Sequence, residues 1–276
     1  MKTRAITGFF FILVMLASVL LGPFVYSGFY LLLATACLFE FYTLFSGEGK
    51  EGAVGLSPHK WAGIVLGFLS LALLILIQLD ILSINWSALL LLVFPVMLVR
   101  QLYLQDAAPF ARIAGTVLGF VFVLLPFYCF FLLGFVHGNF NGWIPLAFLL
   151  MLWANDTGAY LIGKSFGRHK LFERISPKKT WEGFAGGWIA AILVGIIIFN
   201  QSEGVIPLWQ WLVVSSLISV VGTLGDLVES LLKRSLDVKD SGSLLPGHGG
   251  LLDRFDGLLL AAPIVYLFLL LLSFLY

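Results

Sequence analysis

Long apolar runs separated by short polar loops are the feature of this 276-residue chain that most constrains its fold. A helix of about 20 apolar residues crosses a bilayer, because each backbone polar group is then satisfied within the helix. Hydrophobic residues make up 60% of the chain and charged residues 11%. Soluble domains have about 45–50% and about 25%, respectively. The sequence therefore predicts an all-α, polytopic membrane protein.

The same length rule predicts about nine transmembrane helices. We expect them at 6–22, 27–45, 61–79, 86–104, 113–136, 143–163, 183–200, 207–232 and 257–275. No small-residue cleavage site clearly ends the first run, so we interpret it as an uncleaved first helix.

No internal repeat or Pro/Ser-rich linker divides the chain, so we expect 1–276 to form a single membrane domain. Within it, 1–112 is interpreted as an N-terminal scaffold and 113–182 as middle helices with a basic loop. The remaining part, 183–276, holds the C-terminal helices and the most polar segment of the chain.

The basic residues predict the orientation in the membrane. All 16 Lys and Arg residues fall at the N-terminus or in the even-numbered loops of the nine-helix scheme, or, for Arg100, at the helix end beside the fourth loop. Because Lys and Arg concentrate in cytoplasmic loops, we expect the N-terminus and both long polar loops to be cytoplasmic and the C-terminus to be outside. The net charge of +1 offers no basic surplus for a nucleic-acid partner.

The segment 222–257 carries six carboxylates within an otherwise apolar chain. Charge is costly near hydrocarbon, so such a cluster predicts a functional site. The spacing of Asp226, Glu229 and Lys233 places these side chains, with Ser230, on one face of a helix. Mg²⁺ in proteins takes one or two carboxylates together with phosphates and water, so we predict that Asp226 and Asp253 meet around a cation. The alternative is an ion-pair network that holds the loop in place.

Polar residues outside the segment 222–257 are also predicted at the cytoplasmic end of the helices. Lys178, Lys179 and Thr180 precede the seventh predicted helix, where cations and hydroxyls suit a phosphate group. Their alternative role is to anchor the loop on anionic lipid headgroups. Asp156, late in the sixth helix, is predicted to line a polar cavity; alternatively it is neutral or paired with a lysine such as Lys164. For Glu40, in the second helix, structural and functional roles both stay open.

The run from Ser230 to Asp256 resembles the signature of the phosphatidate cytidylyltransferases, also called CDP-diacylglycerol synthases. It reads Ser230-x-Leu232-Lys233-Arg234-x4-Lys239-Asp240-x-Gly242-x2-Leu245-Pro246-x-His248-Gly249-Gly250-Leu251-x-Asp253-Arg254-Phe255-Asp256. The segments from Asn155 to Lys164 and from Ser176 to Gly183 also resemble elements of the family. Before Trp143, the chain is similar to the family only in being hydrophobic.

This resemblance implies an activity in phospholipid biosynthesis: CTP and phosphatidate give CDP-diacylglycerol and pyrophosphate. It implies a requirement for Mg²⁺, with room for a second cation such as K⁺. It also implies a helical, homodimeric enzyme of the bacterial cytoplasmic (inner) membrane, with a polar cavity that opens to the cytosol.

On this hypothesis, Asp226 and Asp253 are the metal ligands, and Asp256 supports them or binds the second cation. Lys233 binds phosphate, and His248 donates to the leaving group. The substrate-binding residues that we expect are Asp156, Lys164, Lys178, Lys179, Thr180, Glu229, Ser230, Arg234, Lys239, Asp240, Gly249, Gly250 and Arg254.

Two other functions compete with this hypothesis. A CTP-dependent kinase of a polyprenol or phytol would release CDP instead of pyrophosphate. A secondary transporter is the alternative of a different class, because the intramembrane carboxylates Glu40, Asp156 and Asp226 could carry ions. A CDP-alcohol phosphotransferase is disfavoured, since its Asp-x2-Asp-Gly-x2-Ala-Arg pattern is absent from the sequence.

Overall fold

The helices of the protein follow its apolar runs. The structure is a computed structural model that describes residues 2–45, 56–242, 244 and 249–275, with side chains described from residue 8 onward. The helices are α1 (Lys2–Leu20), α2 (Pro23–Leu44), α3 (Lys60–Gln78), α4 (Val93–Leu102), α5 (Pro109–Gly119), α6 (Leu125–Leu133), α7 (Trp143–Phe166), α8 (Trp181–Gln201), α9 (Leu208–Ser235) and α10 (Asp256–Ser273).

The prediction of an all-α polytopic membrane protein is confirmed. Within the described residues, eight helical segments are long and apolar enough to cross a membrane. The described apolar part of α1, Gly8–Leu20, is shorter than these eight. The expected helix at 86–104 and the expected helix at 113–136 each combine more than one element, as described next.

Two of the spans are not continuous α-helices. A 3₁₀ segment, Ile84–Leu92, leads directly into α4. A π-helical turn, Phe120–Leu124, joins α5 to α6, just before Pro126. Proline has no N–H to donate to the preceding turn, and such widened turns are one way in which a helix accommodates this loss. Hydropathy reports only the length of an apolar run, so the sequence analysis did not distinguish these helix types.

A small hairpin is the one feature that departs from the helical prediction among the described residues. Strands β1 (Lys170–Phe172) and β2 (Ser176–Thr180) pair antiparallel, with Lys170 opposite Thr180 and Phe172 opposite Ser176. Sequence analysis predicted only a basic loop here. The hairpin was missed because its strands are short, three and five residues, and have no alternating hydrophobic pattern.

An aromatic core lies between α2 and the helices around it. Tyr26 and Tyr30 of α2 are buried against Phe130, and the Tyr26 hydroxyl donates to the Phe130 backbone oxygen at 2.8 Å. The Tyr42 hydroxyl similarly donates to the backbone oxygen of Thr116 at 2.7 Å. These bonds satisfy polar groups that would otherwise be unpaired in an apolar interior.

Glycines allow α7 and α8 to pack closely. A Cβ atom on Gly187 would lie 2.6 Å from the backbone oxygen of Asn155 and 2.8 Å from its Oδ1 atom. A Cβ atom on Gly158 would likewise lie 2.8 Å from the backbone oxygen of Gly186. Small residues at such crossings are the usual means by which membrane helices approach one another. This contact holds the polar end of α7 against α8.

We expect Gly187→Ala to lower the free energy of unfolding by about 1–3 kcal/mol, because backbone and amide atoms occupy the space of the new methyl group. Thermal unfolding of the detergent-purified protein measures this loss. Gly28→Ala is the matched control, since Gly28 is helical and has open space around it. An equal effect of both substitutions would show that close packing at Gly187 is not important for stability.

Candidate functional site

A cavity of about 440 Å³ lies at one end of the helix bundle, between α7, the hairpin, α8 and α9. Its wall combines carboxylates and ammonium groups with apolar side chains, as expected of a site for a charged molecule with an apolar part. The residues lining it are Asn155, Asp156, Ala159, Tyr160, Gly163, Lys164, Leu171, Lys178, Lys179, Thr180, Gly183, Phe184, Gly222, Thr223 and Asp226.

The polar end of α7 is fixed by Asn155. Its Oδ1 atom accepts a hydrogen bond of 2.6 Å from the buried Ser219 hydroxyl of α9. This bond joins α7 to α9, and Asp156 and Lys164 of α7 both line the cavity. The structure therefore places these two predicted site residues together, although no direct contact between them is present among the described contacts.

The hairpin brings Lys178 and Lys179 to the cavity from another side. Thr180, the last residue of β2, caps α8 because its Oγ1 atom accepts a 3.1 Å hydrogen bond from the Gly183 N–H. The Glu182 carboxylate accepts from the backbone N–H of Arg168 at 3.1 Å and from that of His169. Thr180 was predicted to bind substrate, and the structure shows that it also has this capping role.

Asp226 of α9 lies where the hairpin meets the helices. Its Oδ2 atom is 2.6 Å from the Lys179 Nζ atom, and its Oδ1 atom accepts from the Ser230 hydroxyl at 3.2 Å. The Asp226 side chain is 36% exposed, so an incoming group can still reach it. Helical spacing correctly predicted that Ser230 lies on the same face as Asp226. The pairing with Lys179 was not predicted.

Two further carboxyl groups interact electrostatically with Asp226. The backbone of Asp256 approaches α9 closely, since a Cβ atom on Gly225 would lie 2.6 Å from the Asp256 oxygen. Asp256 interacts electrostatically with Asp226 and Asp156, and Asp156 also interacts with Lys179 and Arg254. Like charges at this density disfavour ionisation of all three carboxyls unless cations compensate. Lys179 and Arg254 supply part of this positive charge.

The donor set around Asp226 fits a hard divalent cation. In the part of the chain that the structure describes, no group of three or more His, Cys, Asp or Glu residues is arranged to hold a metal. Mg²⁺ does not need such a group, because it commonly takes one or two carboxylates and completes its shell with phosphate and water. Asp226, with Asp156 or Asp256 close by, meets this requirement.

Asp253 lies in a different environment. Lys233 donates to its Oδ1 atom at 2.7 Å, and the backbone N–H groups of Ser241 and Gly250 donate to its carboxylate at 3.1 and 3.0 Å. Lys233 also forms an ion pair with Glu229, which is fully buried. Burial raises the pKa of Asp253, but the bonds from Lys233 and Ser241 outweigh it, so the pKa is lower than that of an ordinary aspartate.

These contacts form an ion-pair network, which was the alternative interpretation of the acidic segment 222–257. Both oxygens of Asp253 already accept hydrogen bonds, so a bound cation would have to replace some of them. Asp226 is therefore the more accessible of the two predicted metal ligands. Both assignments stay predictions.

The remaining predicted residues lie around the loop between α9 and α10. Lys239, Asp240 and Arg254 are exposed, and Arg234 donates to the Val238 backbone oxygen at 3.2 Å. Gly249 has a φ of +81°, a conformation that glycine adopts readily. His248, predicted to donate to the leaving group, lies outside the described residues, as do Pro246 and Gly247 of the same motif.

Glu40 contacts this loop, which the sequence did not indicate. Its Oε2 atom accepts from the Leu252 backbone N–H at 2.6 Å and from the Ser241 hydroxyl at 3.1 Å. In the sequence, Glu40 is visible only as an acidic residue in an apolar helix. Such a residue indicates a buried polar contact, but the sequence does not identify the residues that form it.

The fold and site define an integral membrane protein with a polar cavity at one end of its helix bundle. The profile of the Cytidylyltransferase family matches residues 2–272, and the chain belongs to this family. It is 51% identical over 124 residues to a Bacillus subtilis (strain 168) protein named phosphatidate cytidylyltransferase, covering 45% of this chain and 46% of the relative.

A protein of the same name from Staphylococcus saprophyticus is 47% identical over 127 residues, covering 46% of this chain and 48% of the relative. One from Staphylococcus aureus (strain COL) is 47% identical over the same length, with the same coverage. In these comparisons, the chain spans about half the length of the curated relatives it matches. The family predicted from the residues 230–256 is thereby confirmed.

Proposed function

We propose that the protein transfers the cytidylyl group of CTP to phosphatidate, giving CDP-diacylglycerol and pyrophosphate, in the presence of Mg²⁺. The observation that carries this proposal is the meeting of Asp226, Asp156 and Lys179 in one cavity of a Cytidylyltransferase family member. The relatives' name, phosphatidate cytidylyltransferase, supports the choice of lipid substrate.

The reaction needs little acid–base chemistry from the protein. A phosphate oxygen of phosphatidate, ionised near neutral pH, attacks the α-phosphorus of CTP and forms the new P–O bond. The bond from that phosphorus to the bridging oxygen breaks, and its electron pair leaves with pyrophosphate. The main barrier is electrostatic, since two anions must approach each other and charge develops on the leaving group.

The side chains of the cavity are suited to lower this barrier. Lys164, Lys178 and Lys179 can bind and orient phosphate groups, while Tyr160, Leu171 and Phe184 offer apolar surface to the lipid. Mg²⁺ bound by Asp226 with Asp156 or Asp256 would supply positive charge to the phosphates and the leaving group. Lys179 would then exchange its pairing with Asp226 for a substrate phosphate.

The proposed location of the site explains how two unlike substrates meet. We propose that the end of the bundle with the basic loops faces the cytoplasm across the bacterial inner membrane, as the distribution of Lys and Arg indicates. CTP would enter from the cytosol, while phosphatidate would keep its acyl chains in the bilayer. A homodimer and a second cation such as K⁺ are also part of this proposal.

The fate of two labels tests the reaction class. Purified protein is incubated with phosphatidate, Mg²⁺ and CTP labelled at either the α- or the γ-phosphate, and lipids are then extracted. We expect the α-label in the organic phase and the γ-label in pyrophosphate. Transfer of the γ-label to an added polyprenol or phytol would instead identify the kinase, and substrate-independent ion uptake into proteoliposomes would identify a transporter.

Replacing Lys179 tests the role of the hairpin. We expect Lys179→Gln to lower kcat/KM by about 10- to 100-fold, because a charge-assisted contact to a phosphate is lost. The matched control is Lys170→Gln in the same hairpin, since Lys170 donates to the Pro177 backbone oxygen and does not line the cavity. Steady-state kinetics would contradict this role of Lys179 if both variants kept the wild-type value.

A further inference from the structure

Glu40 is a buried carboxylate that the proposed chemistry does not use. It lies in α2, one turn before the end of the helix, and is 2% exposed. It is the one acidic residue in the sequences of helices α1 to α6 as the structure describes them. A buried carboxylate in such surroundings is costly unless strong hydrogen bonds compensate for its burial. Its contacts therefore indicate why it is there.

Those contacts lead to the loop between α9 and α10. The Leu252 backbone N–H donates to Glu40 at 2.6 Å, and the Ser241 hydroxyl donates at 3.1 Å. These partners are 212 and 201 residues away in sequence, so Glu40 joins the N-terminal part of the chain to its C-terminal loop. The two segments that it contacts, 241–242 and 249–253, are called the loop ends below.

The loop ends are shaped to fit around the carboxylate. A Cβ atom on Gly242 would lie 2.1 Å from the Glu40 Oε1 atom. A Cβ atom on Gly250 would lie 1.8 Å from the Ser241 Oγ atom and 2.9 Å from the Glu40 Oε2 atom. No side chain fits at either glycine while Glu40 and Ser241 keep these positions. The backbone is thus packed directly against the carboxylate.

The same loop ends hold Asp253. Ser241, whose hydroxyl donates to Glu40, donates its backbone N–H to the Asp253 carboxylate at 3.1 Å. Asp253 in turn accepts from Lys233 on α9 at 2.7 Å. A continuous chain of hydrogen bonds therefore runs from Glu40 through Ser241 and Asp253 to Lys233. This chain links α2 to Lys233 of α9, the helix that also carries the cavity residue Asp226.

We propose that Glu40 is a positioning residue that holds the loop ends in the conformation required for nucleotide binding. This inference rests on the proposed function for its kinetic consequence, but the holding of the loop does not depend on that function. In this account, α2 is part of the working site in addition to being a scaffold. Glu40 acts through Ser241 and Leu252, not by touching substrate.

Hydrogen–deuterium exchange tests the holding role directly. In Glu40→Ala, we expect the backbone amides of 249–253 to exchange at least about 10-fold faster, because the buried acceptor of the Leu252 N–H is lost. Glu40→Gln keeps an acceptor oxygen and is expected to exchange nearly as slowly as the wild type. Ser27→Ala is the matched control, since Ser27 is also buried in α2 but donates to Pro23 within the helix.

Kinetics with the same variants test the consequence for binding. We expect Glu40→Ala to raise the KM for CTP by about 10-fold with a smaller change in the KM for phosphatidate, and Glu40→Gln to restore most of the loss. Unchanged exchange in Glu40→Ala would overturn the holding role, and faster exchange with normal kinetics would overturn the positioning role. If the wild-type protein showed no nucleotidyl transfer, the proposed function would be overturned. Hydrogen–deuterium exchange would still show whether Glu40 holds the loop ends.

Discussion

Replacing Asp226 with Asn is expected to lower the rate of nucleotidyl transfer by about 100- to 1000-fold, the largest loss of activity that we predict for a single substitution. The carboxylate pairs with Lys179 at 2.6 Å and lines the cavity. Asparagine keeps the shape and removes the charge. Transfer of the α-label from CTP into the lipid phase measures the effect.

The stability of this variant is expected to change little, because the Asp226 side chain is 36% exposed and water can replace part of the lost contact. Asp237→Asn is the matched control: Asp237 is exposed in the same acidic segment, and its φ of +52° is one that asparagine tolerates. Near-normal Mg²⁺-dependent activity in Asp226→Asn would remove Asp226 from the proposed metal site.

The second large effect concerns stability. We expect Asp253→Asn to lower the free energy of unfolding by about 3 kcal/mol, because breaking a largely buried ion pair is costly even though Lys233 keeps Glu229 as a charged partner. Lys233 loses its 2.7 Å partner, and the N–H groups of Ser241 and Gly250 lose a charged acceptor. The sequence predicted Asp253 as a metal ligand, and its contacts indicate a structural role as well.

Thermal unfolding in detergent measures this loss, with Asp240→Asn as the control from the same loop. Asp240 is exposed, and a change in its charge is expected to have little effect on stability. Equal unfolding temperatures for the wild type and Asp253→Asn would show that the network is not important for stability. Activity loss without destabilisation would favour the original assignment of Asp253 as a metal ligand.

The sequence predicted the architecture well because hydropathy is a local property. The number and order of the apolar runs follow from residues near one another, and the helices α7, α8 and α9 begin and end close to the expected positions. The 3₁₀ and π-helical segments could not be predicted in this way. They depend on how each turn packs, which apolar composition does not report.

The candidate site was predicted only in part, for a related reason. Helical spacing placed Ser230 beside Asp226 and Lys233 beside Glu229, since such pairs are three or four residues apart. The contacts of Asp226 with Lys179 and of Glu40 with Leu252 join distant segments. No periodicity within one helix specifies them, so they emerge only when the helices and the hairpin are packed together.

The most direct test of whether CTP and phosphatidate bind in this cavity is whether substrates protect a cavity cysteine from alkylation. A cysteine is introduced at Thr223, which lines the cavity, and its alkylation rate is measured with and without substrates; the natural Cys37 and Cys129 are buried. The exposed Ser83→Cys is the control. We predict that CTP with Mg²⁺, and separately phosphatidate, slow alkylation at position 223 but not at position 83. Equal alkylation rates at position 223 with and without substrates, in a protein that is active, would contradict the account.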